Sequence, residues 1–121
     1  MLAIPTTALA RKPTRLSFEE AAATGVNFVT AWLGTVETAR LAEGESIAVI
    51  GVTGGVGGAV AQIARSLGAH VIGLARTPRA DNTPAASAMD AFVPLDNDAQ
   101  HIGEQVMEVT GGPQRDPDPG L

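Results

Sequence analysis

The sequence predicts an α/β fold, a parallel sheet with crossover helices and one further helix in front. Two short apolar runs rich in β-branched residues, "SIAVIG" (46–51) and "HVIGLA" (70–75), flank the helical stretch "GAVAQIARSL" (58–67). Five of the eight residues from Gly51 to Gly58 are glycine, at the junction of the first run with that helix. The order strand, glycine-rich turn, helix, strand is a β-α-β unit, and such units build parallel sheets.

Residues 1–16 are short apolar pieces broken by Pro5 and Pro13, and read as an extended lead-in. Ser17 followed by Glu20 is a capping box, so a helix starts at about Phe18. Val26, Val29, Leu33 and Val36 then form one apolar stripe on a helix to about Arg40, with Gly25 a point where it could break. Phe28 and Trp32, four residues apart, read as core, and 42–45 as a turn. "SIAVIG" is short, continuous and β-branched, which suits a strand buried on both faces. In the next helix Val60, Ile63, Ala64 and Leu67 share a face, and Gly68 ends it. Thr83-Pro84 reads as a cap with a first-turn proline. "FVPL" (92–95) reads as a short third strand with Pro94 at its end or on an edge. Ile102, Val106 and Val109 mark a last amphipathic helix, closed by Gly111-Gly112. The expected organisation is a lead-in segment and helix (1–44), a sheet-containing unit (45–112) and an irregular proline-rich tail (113–121).

Composition narrows the function classes. A chain of 121 residues buries about two-thirds of its extended surface on folding, enough for a core. The formal net charge is -5, and no basic cluster is large enough to track a phosphate backbone, which argues against nucleic acid as a partner. There is no cysteine, hence no disulfide, thiolate nucleophile or cysteine-ligated metal. No stretch approaches the ~20 apolar residues of a membrane span, and the start lacks a signal-peptide pattern. The expectation is a soluble, cytoplasmic chain with no membrane partner.

The glycines carry the functional signal. Gly51, Gly54 and Gly57 form G-x-x-G-x-x-G, with Gly55 added, a variant of the dinucleotide fingerprint that begins G-x-G. The chain must turn sharply out of the strand, let a pyrophosphate approach the backbone, and pack helix tightly on sheet. The predicted fold is therefore the first βαβαβ half of a Rossmann-type doubly wound parallel sheet plus the preceding helix. The candidate phosphate cradle is Thr53, Gly54, Gly55, Val56 and Gly57, with helix-start amides and the helix dipole facing the anion. A nucleoside-triphosphate loop is excluded, because the chain's one lysine is Lys12. A glycine turn that serves only close packing is the competing reading.

The stretch "GVTGGVGGAVAQIARSLGAHVIGLART" resembles the nucleotide-binding domain of the medium-chain dehydrogenase/reductases. The match is to the zinc-independent quinone oxidoreductase branch, which carries G-A-[SA]-G-G-V-G before such a helix. The upstream "LSFEEAAATGVNFVTAWLGTVETARLAEGESIAVIG" resembles the segment leading into that domain, and "VMEVTGG" the stretch before its next strand. The chain departs from the family pattern at Val52, where a small alanine is usual, and in "AMDAFV", which lacks a glycine. By the resemblance, the GroES-like barrel and the nicotinamide-facing second half of the dinucleotide fold are expected to be absent from this stretch. The resemblance implies hydride transfer from NADPH to a quinone or enone. It places Thr30 near the nicotinamide end of the cofactor, although a threonine packed in a helix fits that position equally.

Cofactor choice rests on the end of the second strand. NAD-binding folds place an acidic residue about 20 residues beyond the glycines, on the ribose 2′-hydroxyl. Here that region reads "LARTPR", and the first acid is Asp81. Arg76, with Thr77 beside it and Arg79 nearby, suits a 2′-phosphate, since guanidinium pairs with phosphate by charge and shape. NADP(H) is expected over NAD; Arg79 could equally solvate a loop. Zinc-dependent relatives carry a cysteine near the position of Val26, so no catalytic zinc is expected, and His70 and His101 read as surface histidines. Two functional readings stand: the NADP(H)-binding portion of a zinc-independent oxidoreductase, and a truncated nucleotide-binding remnant without turnover. Either way, a doubly wound sheet places its first strand centrally, so stopping after three strands leaves that strand's edge open to self-association.

Overall fold

The computed structural model describes residues 1–77 and 83–112. Arg79, Asp81 and the proline-rich segment from Pro113 lie outside them. Helix α1 (Phe18–Trp32) starts at the capping box. The Ser17 hydroxyl accepts from the Glu20 amide at 3.1 Å, and the Glu20 carboxylate accepts from the Ser17 amide at 2.8 Å. Gly25 does not break the helix; it widens at its far end into a π-helical turn, Leu33–Thr38. There the buried Thr35 hydroxyl donates to the Ala31 carbonyl at 2.7 Å, competing for the acceptor a regular turn would use. Arg40, at φ 50°, ends the run in a left-handed cap.

Strands β1 (Ser46–Ile50), β2 (His70–Ala75) and β3 (Ala91–Pro94) form one parallel sheet in the order β1-β2-β3. Ser46 lies opposite His70, and Ile72 opposite Ala91. Pro94 is the last strand residue, where its missing N–H removes nothing from the ladder. Helix α2 (Gly55–Ser66) joins β1 to β2. Helix α3 (Pro84–Ala88) leads into β3, with the Thr83 hydroxyl accepting from the Ala86 amide at 3.1 Å. Helix α4 (Ala99–Thr110) is capped by Asp98 and stopped by Gly111 at φ 76°. Among the described residues, no helix is long and apolar enough to cross a membrane.

Helix α2 is sandwiched. Ala61 and Ala64 face the sheet with Val49, Val71 and Ala75, while Ala59 and Ile63 face α1 through Ala31 and Phe28. Small side chains on both sides of α2 let sheet and helix approach closely. On the opposite face of the sheet, α4 lays Ile102 and Val106 over Ile72, Leu74 and Val93.

Four expectations change. Helix α1 packs through Phe28, Ala31 and Val36; of the expected stripe, Val26, Val29 and Leu33 are exposed, Val26 at 79%. The helix is apolar on most sides, so periodicity alone does not choose the packed face. Trp32 is exposed rather than core, because it lies off the face that meets α2. Strand β1 is not buried on both faces. Ala48 is exposed and Ile50 is 74% exposed, since α4 covers β3 and part of β2 without reaching β1. Val109 on α4 is also exposed.

Asp90 staples β3 to the rest. Its carboxylate accepts from the Val71 amide at 2.8 Å and from Arg65 at 2.7 Å, and its own amide donates to the Val71 carbonyl at 2.8 Å. The Val71 bond, then Arg65 and His70, hold its pKa below the ordinary carboxylate value. A depressed folded pKa contributes stability above the unfolded pKa and loses it as pH falls through the folded one. Asp90→Ala should therefore cost roughly 1 kcal/mol at pH 7, discounted for solvent screening. The gap from wild type should close as pH drops below about 4, as read from denaturant midpoints; a pH-independent gap would refute this role.

At the start of α4 the exposed His101 ring sits 2.6 Å from the Asp96 carboxylate, which also accepts from the Asp98 amide at 2.8 Å. Asp96 raises the His101 pKa, chiefly by that hydrogen bond. The contribution of His101 is present below its unfolded pKa and lost as pH rises through the folded value. In an NMR titration, the His101 midpoint should lie above that of free histidine and drop in Asp96→Asn.

Candidate functional site

The glycine turn is tied to the middle strand. The amides of Gly51 and Val52 both donate to the Leu74 carbonyl, at 2.8 and 3.3 Å, and the Gly54 amide returns to the Gly51 carbonyl at 2.9 Å. Gly51 sits at φ 75°, where any side chain is strained. Gly54 is an extended N-cap with no side-chain cap, and the first turn of α2 carries no acid. The first intrahelical bond runs from the Gly58 amide to Gly54 at 2.9 Å. The amides of Gly55, Val56 and Gly57 thus have no acceptor within the helix. They make a positively polarised edge at the carboxyl end of a parallel sheet, the place where such folds bind anions.

Close approach accounts for the other glycines. A Cβ on Gly57 would lie 2.1 Å from the Gly51 carbonyl oxygen and 3.0 Å from the Val52 Cα. Gly57 is therefore required by contact between α2 and the chain's own turn. A Cβ on Gly55 would meet the Asn27 side-chain nitrogen at 2.6 Å, so α1 delivers a polar amide to the first turn of α2. In β2 a Cβ on Gly73 would fall 2.1 Å from the Met89 sulfur and 2.8 Å from a Val52 methyl. The larger Val52, fully buried, is accommodated because Gly73 leaves it room.

A cleft of about 150 Å³ opens between the turn, the first turns of α2 and the start of α3, lined by Val52, Thr53, Gly54, Gly55, Gly58, Gln62, Thr83, Ala85 and Met89 among others. Of the residues singled out from sequence, Thr53, Gly54 and Gly55 line this cleft, and Val56 and Gly57 follow in the first turn of α2 without lining it. Val56 points partly to solvent. Arg76 and Thr77 are exposed immediately after β2, two and three residues beyond the Leu74 that anchors the turn. Among the described residues, the Arg76 guanidinium has no ion-pair partner. Thr30 is exposed on α1 and does not line the cleft; its neighbour three residues back, Asn27, is the α1 residue that touches the turn. The sequence reading missed Asn27, Gln62 and Met89. A glycine inside the apolar run of β2 was the available signal for Met89. His70 and His101 are exposed, and among the described residues no group of His, Cys, Asp or Glu could hold a metal.

No family model matches the chain. It is 46% identical over 74 residues to a highly reducing polyketide synthase of Aspergillus niger, a span covering 61% of the chain and 3% of the synthase. It is 43% identical over 65 residues to the quinone oxidoreductase of Pongo abelii, covering 54% of the chain and 20% of that enzyme. Among solved structures, the quinone oxidoreductase of Thermus thermophilus, determined also with NADPH, superposes at a TM-score of 0.75 with 32% identity. That match covers 92% of this chain and 36% of the other. An NAD-dependent alcohol dehydrogenase superposes at 0.76 with 36% identity, covering 90% and 31%. The chain thus spans a small part of the curated relatives and about a third of the solved chains. The glycine turn, the three-stranded parallel order and these likenesses agree: the chain resembles part of the nucleotide-binding fold of quinone oxidoreductases and related medium-chain dehydrogenase/reductases.

Proposed function

We propose that this chain is the NADP(H)-binding portion of a zinc-independent quinone or enone oxidoreductase. The observation that carries the reading is the uncapped, acid-free first turn of α2, held against β2 at the carboxyl edge of the sheet. A pyrophosphate fits it. The amides of Gly55, Val56 and Gly57 would hold its oxygens, and Gly54 and Gly55 keep the approach free of Cβ atoms. Arg76, exposed at the end of β2, would receive the 2′-phosphate, with Thr77 beside it. Thr30 would lie toward the nicotinamide end, one turn along α1 from Asn27. When bound, NADPH supplies the hydride for the acceptor; the residues of this chain bind and orient the cofactor.

A second reading is a nucleotide-binding remnant without turnover. The two readings differ in one readout, NADPH oxidation in the presence of a quinone.

Two variants separate binding from folding. Gly57→Ala forces the turn to shift, so both thermal stability and NADPH affinity should fall. Val56→Asp places a carboxylate where the helix dipole welcomes it but a phosphate does not. Calorimetric titration should show about tenfold or weaker NADPH binding for Val56→Asp, with an unchanged or higher Tm. Unaltered affinity would remove the phosphate-cradle reading.

Cofactor choice is tested at Arg76. Arg76→Ala should weaken NADPH by roughly 1.5–3 kcal/mol, the value of a charged hydrogen bond, and leave NADH nearly unaffected. Equal losses for both nucleotides, or no saturable binding of either by the wild-type chain, would count against the proposal.

A further inference from the structure

The seam between α1 and α2 ends in a polar side chain. Ala31 packs with Ala59 and Ile63, and Phe28 lies alongside. One turn back on each helix, four residues in sequence, stand Asn27 on α1 and Gly55 on α2. The contact there is close. A Cβ on Gly55 would fall 2.6 Å from the Asn27 Nδ2, 3.1 Å from its Cγ and 3.3 Å from its Oδ1. The Asn27 carboxamide thus fills the space that a side chain at the first position of α2 would take.

That space lies at the rim of the helix. Cα–Cβ bonds tilt toward the N-terminus of an α-helix, and a Cβ is only two bonds from its own residue's amide nitrogen. A group seated there is beside the Gly55 N–H, at the end where Gly55, Val56 and Gly57 have no intrahelical acceptor. An asparagine could serve this rim in two ways. Its oxygen could cap α2 from outside, or its NH2 could join the free amides as a further donor. No side chain caps α2, and the nitrogen is the Asn27 atom nearest Gly55, which favours the donor. Asn27 is partly buried, and among the described residues its carboxamide has no hydrogen-bond partner. A polar group held out of water without a partner is unfavourable, whereas an aliphatic residue would close the same seam at no such cost. An acceptor arriving from outside the chain accounts for the asparagine.

Resting on the reading of this edge as a dinucleotide cradle, we infer that Asn27 is a cofactor ligand, its Nδ2–H donating to a diphosphate oxygen. The donors then come from two helices: the main-chain amides of Gly55, Val56 and Gly57 on α2, and one side-chain amide on α1. A bond from a neutral donor to an anion is stronger than one between neutral groups, and the neutral amide brings no charge into the seam. The diphosphate is common to NADPH and NADH, so Asn27 contributes equally to both. Arg76, at the far end of the adenosine, is the residue that tells them apart.

Calorimetric titration of the 121-residue chain with NADPH and with NADH tests this. Asn27→Leu nearly keeps the side-chain volume against Gly55 and removes the donor. Its Tm should be unchanged or higher, and both dissociation constants should rise about tenfold, by the same factor. Asn27→Asp sets a carboxylate beside the free amides, where the helix dipole favours it and a phosphate does not. It should keep or raise Tm and lose more affinity than Asn27→Leu. A readout on the wild type needs no variant: the Asn27 side-chain NH2 proton signals should move downfield in NMR spectra as either nucleotide is added. Saturable wild-type binding that Asn27→Leu leaves within about twofold, or NH2 signals that stay in place, overturns this inference and leaves the cradle standing. So does a loss confined to NADPH, which would seat Asn27 at the 2′-phosphate instead. A wild-type chain that binds neither nucleotide overturns both the inference and the cradle.

Discussion

The contact on which the site depends is backbone against backbone, where Gly57 in the first turn of α2 meets Gly51 and Val52 in the turn before it. With only hydrogen on Gly57, the helix can begin directly above the strand end. Its free amides then open at the edge of the sheet rather than a residue further out. The same turn hangs from one carbonyl of the middle strand, that of Leu74, through two amides. Helix start, turn and β2 are thereby positioned as one unit, and Arg76 follows two residues beyond the anchoring carbonyl. A phosphate-binding edge and a candidate 2′-phosphate ligand derive their relative placement from one short stretch of backbone.

Small residues extend this close packing outward. The alanines of α2 face the sheet on one side and α1 on the other. Close approach of α1 brings Asn27 against Gly55, so a segment upstream of the sheet contributes a polar group beside the candidate phosphate cradle. The bulkier residues are balanced locally. Val52 and Met89 both project toward β2, and Gly73 supplies the room. A valine in place of the family's usual alanine is thus matched by a glycine on the adjacent strand. The two positions should be treated as one packing unit.

Coverage of the sheet is uneven, and this sets where the chain is open. β2 has helices over both faces and is buried apart from His70. β1 is covered by α2 on one face only, and no strand flanks its outer edge among the described residues. Apolar surface is exposed on α1 at Val26 and Val29, on the π-helical turn at Leu33, and on β1 at Ile50. The nucleotide-facing features, the glycine turn and Arg76, lie at the carboxyl ends of β1 and β2.

Local chemistry made much of this readable from sequence. The capping box at Ser17, the threonine–proline start of α3, the glycine stop of α4, the two strands flanking the glycine cluster and the cluster itself each rest on neighbours in the chain. Their physical causes act within a few residues. Tertiary structure alone decided which apolar face of α1 is packed, because that helix is apolar on several sides and only contact with Ala59 and Ile63 selects one. It also decided that β1 is half covered, since this depends on how far α4 reaches across the sheet. Asn27 beside Gly55 and Met89 beneath Gly73 belong to the same class. Each contact joins residues at least 16 apart in sequence, and no period, cap or composition within one segment encodes a neighbour supplied by another.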